Sequence, residues 1–102
     1  MIFTVIVEAD AERDWHEAVM FYDEREPGVS HRLNVAVRAV LNSLAQQPER
    51  FSHATTRTHK AKVPQPWPYS IYFTINTKHR EVKVLAIWHG ARNPAELRRR
   101  LK

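Results

Sequence analysis

The order of apolar and polar positions divides the chain into segments before any other property is needed. Residues 2–7 (Ile2, Phe3, Thr4, Val5, Ile6, Val7) are β-branched or aromatic and stop at the polar Glu8-Ala9-Asp10, the pattern of a short, well-buried strand. Beyond it the period changes. Ala11, Trp15, Ala18 and Tyr22 recur at helical spacing with Val19 beside them, while Glu12, Asp14, Glu17, Asp23 and Glu24 fill the other face. A helix of about four turns is therefore predicted, with Asp10 as its cap. Pro27-Gly28 stops it, and Ser30 is placed to cap a second helix whose stripe is Leu33, Val37, Val40, Leu41 and Leu44. Gln47-Pro48 ends that one.

The second half reads as strands. Residues 57–63 form a polar candidate strand, 69–75 a strong one, and 81–88 another, with Asn76-Thr77-Lys78-His79 short enough to make the last two an antiparallel hairpin. Pro64-Gln-Pro-Trp-Pro68 cannot donate freely to a sheet ladder and is expected to be a loop; its other reading is a proline-rich docking ligand. Pro94 to Leu101 is expected to be a short basic helix or a disordered tail. Two amphipathic helices joined by about four residues lie antiparallel and need a flat surface to bury their stripes. The expected architecture is thus a single α+β domain over residues 1–102: an N-terminal strand, then a helical hairpin packed on a small, mainly antiparallel sheet in the order β-α-α-β-β-β. The opposite sheet face is left for function.

Charge changes the picture because it is separated along the chain. Residues 1–51 hold five Lys/Arg against nine Asp/Glu, a net of −4, and residues 52–102 hold eleven against two, a net of +9. One surface should therefore attract phosphate or acidic protein, although a solvated basic surface is the plainer reading. Cysteine is absent, which excludes disulfides, thiolate zinc sites and a cysteine nucleophile. The N-terminal apolar run is too short for a signal peptide and no run reaches the roughly 20 residues of a membrane span, so a soluble, cytoplasmic protein is expected.

Candidate chemistry gathers in the second half. Period-two alternation puts Lys60 and Lys62 on one side of their strand with Thr58, and Arg57 and His59 on the other. In the last strand Lys83, Leu85, Ile87 and His89 alternate against Val82, Val84, Ala86 and Trp88. Both sides are mainly apolar, so the strand is expected at the sheet's centre. His89 would stand at the mouth of the exposed face, with Gly90 letting the chain bend and Arg92 turning back to the same opening. A histidine beside guanidinium and ammonium groups suits metal-free cleavage of RNA through its 2′-hydroxyl. The alternative is a strand-end histidine bonded to backbone and an Arg92 paired with a carboxylate. His53, His59, His79 and His89 show no close pairing of the kind a zinc motif has, so no metal and no cofactor are expected. Trp15, Tyr22, Tyr72 and Trp88 read as core, and Trp67 and Tyr69 as loop packing or as surfaces for base stacking.

Five stretches in order carry a family resemblance: Glu12-Arg-Asp-Trp-His-Glu-Ala-Val-Met-Phe-Tyr22, Pro27-Gly28, Arg38-Ala-Val-Leu-Asn-Ser-Leu-Ala-Gln-Gln-Pro-Glu-Arg-Phe51, Pro68-Tyr-Ser-Ile-Tyr-Phe73, and Val84-Leu-Ala-Ile-Trp-His89 with Arg92-Asn-Pro94. Together they resemble the RelE/ParE toxin superfamily, most of all its ParE branch, over nearly the whole chain. The resemblance implies a growth-arresting, plasmid-stabilising toxin of a type II toxin–antitoxin pair, held inactive by a cognate antitoxin. ParE-like members act on DNA gyrase; RelE-like members are endoribonucleases that cut mRNA in the ribosomal A site. Nuclease branches commonly carry a tyrosine near the chain's end, and here none follows Tyr72, which weighs against cleavage. Gln65-Pro-Trp-Pro68 also departs from the basic residue and phenylalanine usual before the Pro-Tyr pair.

On the ParE-like reading Lys60, Lys62, Arg80, His89, Arg92, Arg98, Arg99 and Arg100 bind the target or its DNA. On the nuclease reading His89, Arg92, Lys60 and Lys62 are catalytic. An acidic antitoxin would cover the same groove and lay a helix on Trp15, Val19, Tyr22, Leu33 and Val37. A homodimer and a toxin–antitoxin hetero-oligomer are both compatible with the sequence, as is an inactive relic that binds only its antitoxin.

Overall fold

The computed structural model describes residues 2–102. Strand β1 (Thr4–Val7) leads into helices α1 (Ala9–Arg25) and α2 (Val29–Gln46), then a single 3-10 turn at Pro48–Arg50. Strands β2 (His59–Lys62), β3 (Tyr69–Asn76) and β4 (Glu81–His89) follow, and helix α3 (Pro94–Arg100) closes the chain. The sheet order is β1-β4-β3-β2, with β1 parallel to β4 and the other pairs antiparallel. The sheet is therefore mixed but mainly antiparallel, and β4 is central, as its two apolar faces predict. The helical hairpin covers one face, where Leu33, Val37, Val40 and Leu44 of α2 and Ala11 and Ala18 of α1 meet Ile71, Phe73, Val82, Val84 and Ile87. Among the described residues no helix is long and apolar enough to cross a membrane.

Several local expectations are corrected. The first strand is not deeply buried: β1 lies at the sheet edge with Thr4 exposed and Val5, Ile6 and Val7 half-buried, and Phe3 just before it is the buried residue. Asp10 does not cap α1. The helix starts one residue earlier, at Ala9 after Glu8, and Asp10 sits in its first turn, where a carboxylate still complements the helix dipole. Ser30 does not cap α2 either, because Gly28 takes the left-handed conformation (φ 97°) that starts the helix two residues earlier. Buried Ser30 instead donates from Oγ to Asp23 Oδ1 at 3.1 Å, tying α2 to the end of α1. The polar strand is shorter than 57–63, since Thr55 Oγ1 accepts from the N–H groups of Arg57 (3.3 Å) and Thr58 (3.1 Å) and holds these residues in a turn.

The correction with the widest consequence concerns β4. Pairing runs Tyr72 to Ala86 and then Phe73 to Val84, leaving Leu85 as the extra residue of a β-bulge. The bulge reverses the alternation halfway along the strand. Val82, Val84 and Ile87 consequently share the hairpin face, while Ala86 and Trp88 turn to the other. There Trp88, Tyr72 and Ala86 form a second small core under Leu97 and Leu101 from α3 and its C-terminal extension. Asn93 caps α3 by accepting from the Ala95 N–H at 2.8 Å, and Pro94 occupies the first helical position.

Candidate functional site

Strand phase decides which cations meet. Lys60 stands opposite Tyr72, its ammonium 5.8 Å from the ring centroid, and Lys62 stands opposite Ser70. Both lie on the sheet face away from the helical hairpin, beside the second core. His89 does not join them. It pairs with Tyr69, whose ring meets it edge-on at 5.2 Å, and faces the hairpin side of the sheet. There it lines a cleft of about 380 Å³ with Asp14, Glu17, Ala18, Phe21, Tyr69, Ile87 and Arg92. The sheet itself separates His89 from the two lysines, so these groups do not converge on one phosphate. The bulge at Leu85 is the cause: without it Ile87 and His89 would share the side of Lys83, and with it they fall on the side of Val82, Val84, Tyr69 and Ile71, in the hairpin core.

Asp14 explains where two of the arginines go. Strand β1 ends opposite Val84, which leaves the following part of β4 without a backbone partner on that edge. Asp14, from α1, fills the gap with its side chain 3% exposed: Oδ2 accepts from Ile87 N–H at 3.1 Å and from Arg100 at 2.7 Å, and Oδ1 accepts from Arg92 at 3.0 Å. Arg100 also donates to Leu85 O at 3.2 Å. Burial pulls the Arg100 guanidinium down, but the hydrogen bond and charge of Asp14, with Asp10 and Glu17 behind, hold it above its ordinary value. Both guanidiniums cover the Trp88 ring, Arg92 at 3.8 Å and Arg100 at 5.1 Å from its centroid. Arg92 and Arg100 thus lock α3 to the sheet edge. The helical period puts Asp14 on the polar face of α1, and nothing in its local sequence signals partners from β4 and beyond; the structure buries it.

The remaining candidates are distributed. Arg80 lies in the β3–β4 turn with φ 51° and its guanidinium 5.8 Å from the Phe3 ring centroid. That turn lies beyond Asn76, at the other end of β3 from Ser70, the residue opposite Lys62. Arg98 and Arg99 are exposed on α3. Of the hairpin residues expected to receive an antitoxin helix, Leu33 and Val37 are 0% and 1% exposed and form the interior floor, so they present no surface to a partner. Trp15 and Val19 are half-buried and line an outer groove with Glu12, His16, Asn34 and Arg38. Tyr22 packs edge-on against Trp67 at 5.3 Å. Tyr69 is buried and Trp67 half-buried, which places both in packing rather than on a stacking surface.

The fold also pairs two histidines that the sequence leaves apart. His53 bridges to His59 beside β2, the rings lie 4.1 Å apart, and His59 stacks on Phe73 at 5.4 Å. Each Nδ1 faces a backbone carbonyl, Thr55 O at 3.2 Å and Phe51 O at 2.9 Å, and so donates its proton there.

Tyr69 offers a measurable reporter of the cleft. Burial, and then the neighbouring Tyr22 hydroxyl, push its phenol up to about 12. The folded state holds this proton more tightly than the unfolded chain, whose tyrosines titrate near about 10. The stability it contributes is therefore complete below about pH 10 and lost as pH rises through about 12. Tyr69→Phe is expected to lose less stability than the parent between about pH 10 and 12, read from melting temperatures across a pH series; equal losses would assign the alkaline slope to other groups.

A helical hairpin on a β1-β4-β3-β2 sheet, with Lys60 and Lys62 on its outer face, is thus the frame of the site. The model of the family described as "ParE toxin of type II toxin-antitoxin system, parDE" matches residues 5–94. Toxin RelE1 of Caulobacter vibrioides is 32% identical over 91 residues, which span 88% of this chain and 96% of that protein. Among solved structures, the chromosomal ParDE system of P. aeruginosa superposes with a TM-score of 0.73 at 14% identity, covering 86% of this chain and 96% of that one. The RelBE2 complex of Mycobacterium tuberculosis gives 0.62 at 20% identity, covering 87% and 99%. A substituted E. coli RelE in the free state gives 0.63 at 13%, covering 95% and 93%. These structural likenesses concern the fold. The chain belongs to the ParE toxin family of type II toxin–antitoxin systems, within the RelE/ParE superfamily.

Proposed function

We propose that the protein arrests growth by binding DNA gyrase rather than by cutting RNA, and that a cognate antitoxin encoded with it neutralises it. The observation that carries this reading is the segregation of His89 from Lys60 and Lys62 on opposite sheet faces. The outer face keeps Lys60, Lys62 and a buried Tyr72, whereas the strand histidines His59 and His89 take the side of Phe73 and Tyr69, and no tyrosine follows Tyr72 in the sequence. A surface of that kind attracts an anion without moving protons. The similar P. aeruginosa and M. tuberculosis structures are of a ParDE toxin–antitoxin system and a RelBE2 toxin–antitoxin complex, which supports an antitoxin partner here. An acidic antitoxin segment would mask Lys60 and Lys62, and its helix would rest on the groove at Trp15 and Val19. The RelE name of the Caulobacter relative supports the second reading, a ribosome-dependent cut in mRNA.

Induced expression of the chain alone is expected to stop growth of its bacterial host, and co-expression of the antitoxin to restore it. Lys60→Gln with Lys62→Gln should relieve the arrest while the protein stays folded, since Lys62 is exposed and Lys60 half-buried. Normal growth with abundant soluble wild-type protein would leave only the relic that binds an antitoxin.

A further inference from the structure

We propose that the groove between the Thr55–Arg57 turn and the C-terminal end of α3 binds the sugar–phosphate backbone of a nucleic-acid strand. The groove has a volume of about 470 Å³ and is lined by Thr55, Thr56, Arg57, Arg98, Leu101 and Lys102. Three cations and two hydroxyls meet there, and no carboxylate side chain lines it. Three of the other arginines, Arg13, Arg92 and Arg100, pair with carboxylates. Among the described residues Arg57, Arg98 and Lys102 make no ion pair, and all three are exposed. Like charges gathered without a counter-charge repel one another, and a bound anion reverses that repulsion.

Both walls are anchored, so little ordering is needed on binding. On one side Thr55 and Thr58 join their hydroxyls at 2.6 Å, and the N–H groups of Ala54 and Thr55 both donate to Thr58 O. On the other side Leu97 and Leu101 pack on the Tyr72–Trp88 core, and Arg100 is held by Asp14. Guanidinium forks with hydroxyl donors are the groups that hold phosphate oxygens in register. The cationic path continues onto the sheet, since Leu101 packs on the same core as Tyr72, over which Lys60 stands. A repeating anion fits such a path. An acidic peptide fits less well, because recognition of peptides draws on sheet edges and pockets for side chains, and the only aliphatic residue lining this groove is Leu101.

The groove adds a direct nucleic-acid contact to the gyrase reading and does not rest on it. The test uses the full chain, a fluorescent single-stranded oligonucleotide and no gyrase, so its failure leaves that reading standing. Affinity is measured by anisotropy across a salt series for the wild type and for Arg57→Gln/Arg98→Gln/Lys102→Gln. Each lost single-strand phosphate contact removes about 0.7 from the slope of log K against log salt, so the triple variant should lose about 2 and bind on the order of 100-fold more weakly at 0.1 M salt. Arg32→Gln/Lys78→Gln/Lys83→Gln removes the same charge from exposed positions outside the groove and should keep most of the affinity. An unchanged slope in the groove variant, an equal loss in the control, or tighter binding of a polyglutamate peptide than of the oligonucleotide would overturn the proposal.

Discussion

Phe73→Ala is expected to destabilise the protein by about 3–5 kcal/mol, the range for removing a fully enclosed aromatic side chain. Phe73 is 0% exposed at the centre of the hairpin-side core. Its ring meets Phe51 edge-on at 6.0 Å and stacks with His59 at 5.4 Å, and such pairs add about 0.5–1.5 kcal/mol beyond area burial. It also sits where the register shifts against β4, so truncation opens a void beside the bulge. At about 4–8 °C per kcal/mol for a domain near this size, the melting temperature should fall on the order of 20 °C. Val35, on the outer surface of α2 and 53% exposed, provides the contrast: Val35→Ala should stay within about 0.5 kcal/mol of the parent. Urea unfolding of both variants separates burial from composition, and near-equal effects would contradict the assignment of the core.

The second large effect is expected at a polar residue. Asp14→Ala removes the acceptor of the Ile87 N–H and the shared counter-charge of Arg92 and Arg100. An orphaned buried donor costs about 1–3 kcal/mol, and the separated guanidiniums add to it, so a total of about 3 kcal/mol is expected. Asp14→Asn keeps an oxygen for Ile87 and should cost about half as much. The loss is predicted to be directional as well. Without Asp14, Arg100 keeps only its bond to Leu85 O, the longer pair with Asp10 and its place over Trp88, so α3 is held more loosely and trypsin should cut at Arg98 and Arg99 sooner than in the parent. Stability within about 0.5 kcal/mol of wild type for Asp14→Ala would show that the edge of β4 is satisfied by other means.

These two residues also mark how far the sequence could be read. Phe73 was legible, because in Tyr69-Ser-Ile-Tyr-Phe-Thr-Ile75 the hairpin-side core positions Tyr69, Ile71 and Phe73 follow period two. The helix stripes were legible for the same reason: Leu33, Val37, Val40 and Leu44 repeat at the spacing of a helix face and are buried. Asp14 was not legible. It falls among acidic neighbours on a helix that looks two-faced, and its partners at Ile87, Arg92 and Arg100 are brought to it only by the tertiary fold. The extra residue Leu85 was equally silent, since no glycine or turn residue interrupts Val82 to Trp88 and a one-residue slip reverses every later side chain.

For the candidate site the same division holds. Lys60 and Lys62 were placed together by alternation alone, and they share a sheet face. His89 ends β4, where the unsignalled bulge at Leu85 sets its side, and Arg92 follows in a turn whose direction local sequence does not state; both face α1. The groove at Arg57, Arg98 and Lys102 joins a turn before β2 to residues some 40 positions later, a contact no periodicity encodes. The net charge of +9 in the second half and the arginines of the tail, Arg98 among them, were its traces.

The central functional claim is that the basic outer face binds gyrase without doing bond chemistry of its own. Purified protein mixed with gyrase, relaxed plasmid and ATP, with no ribosome present, tests it most directly. Supercoiling should stop, cleaved plasmid should accumulate in trapped gyrase complexes, and Lys60→Gln with Lys62→Gln should restore the supercoiled product. Gyrase running at its full rate in excess toxin, while the same preparation cuts mRNA once ribosomes are added, would contradict the claim.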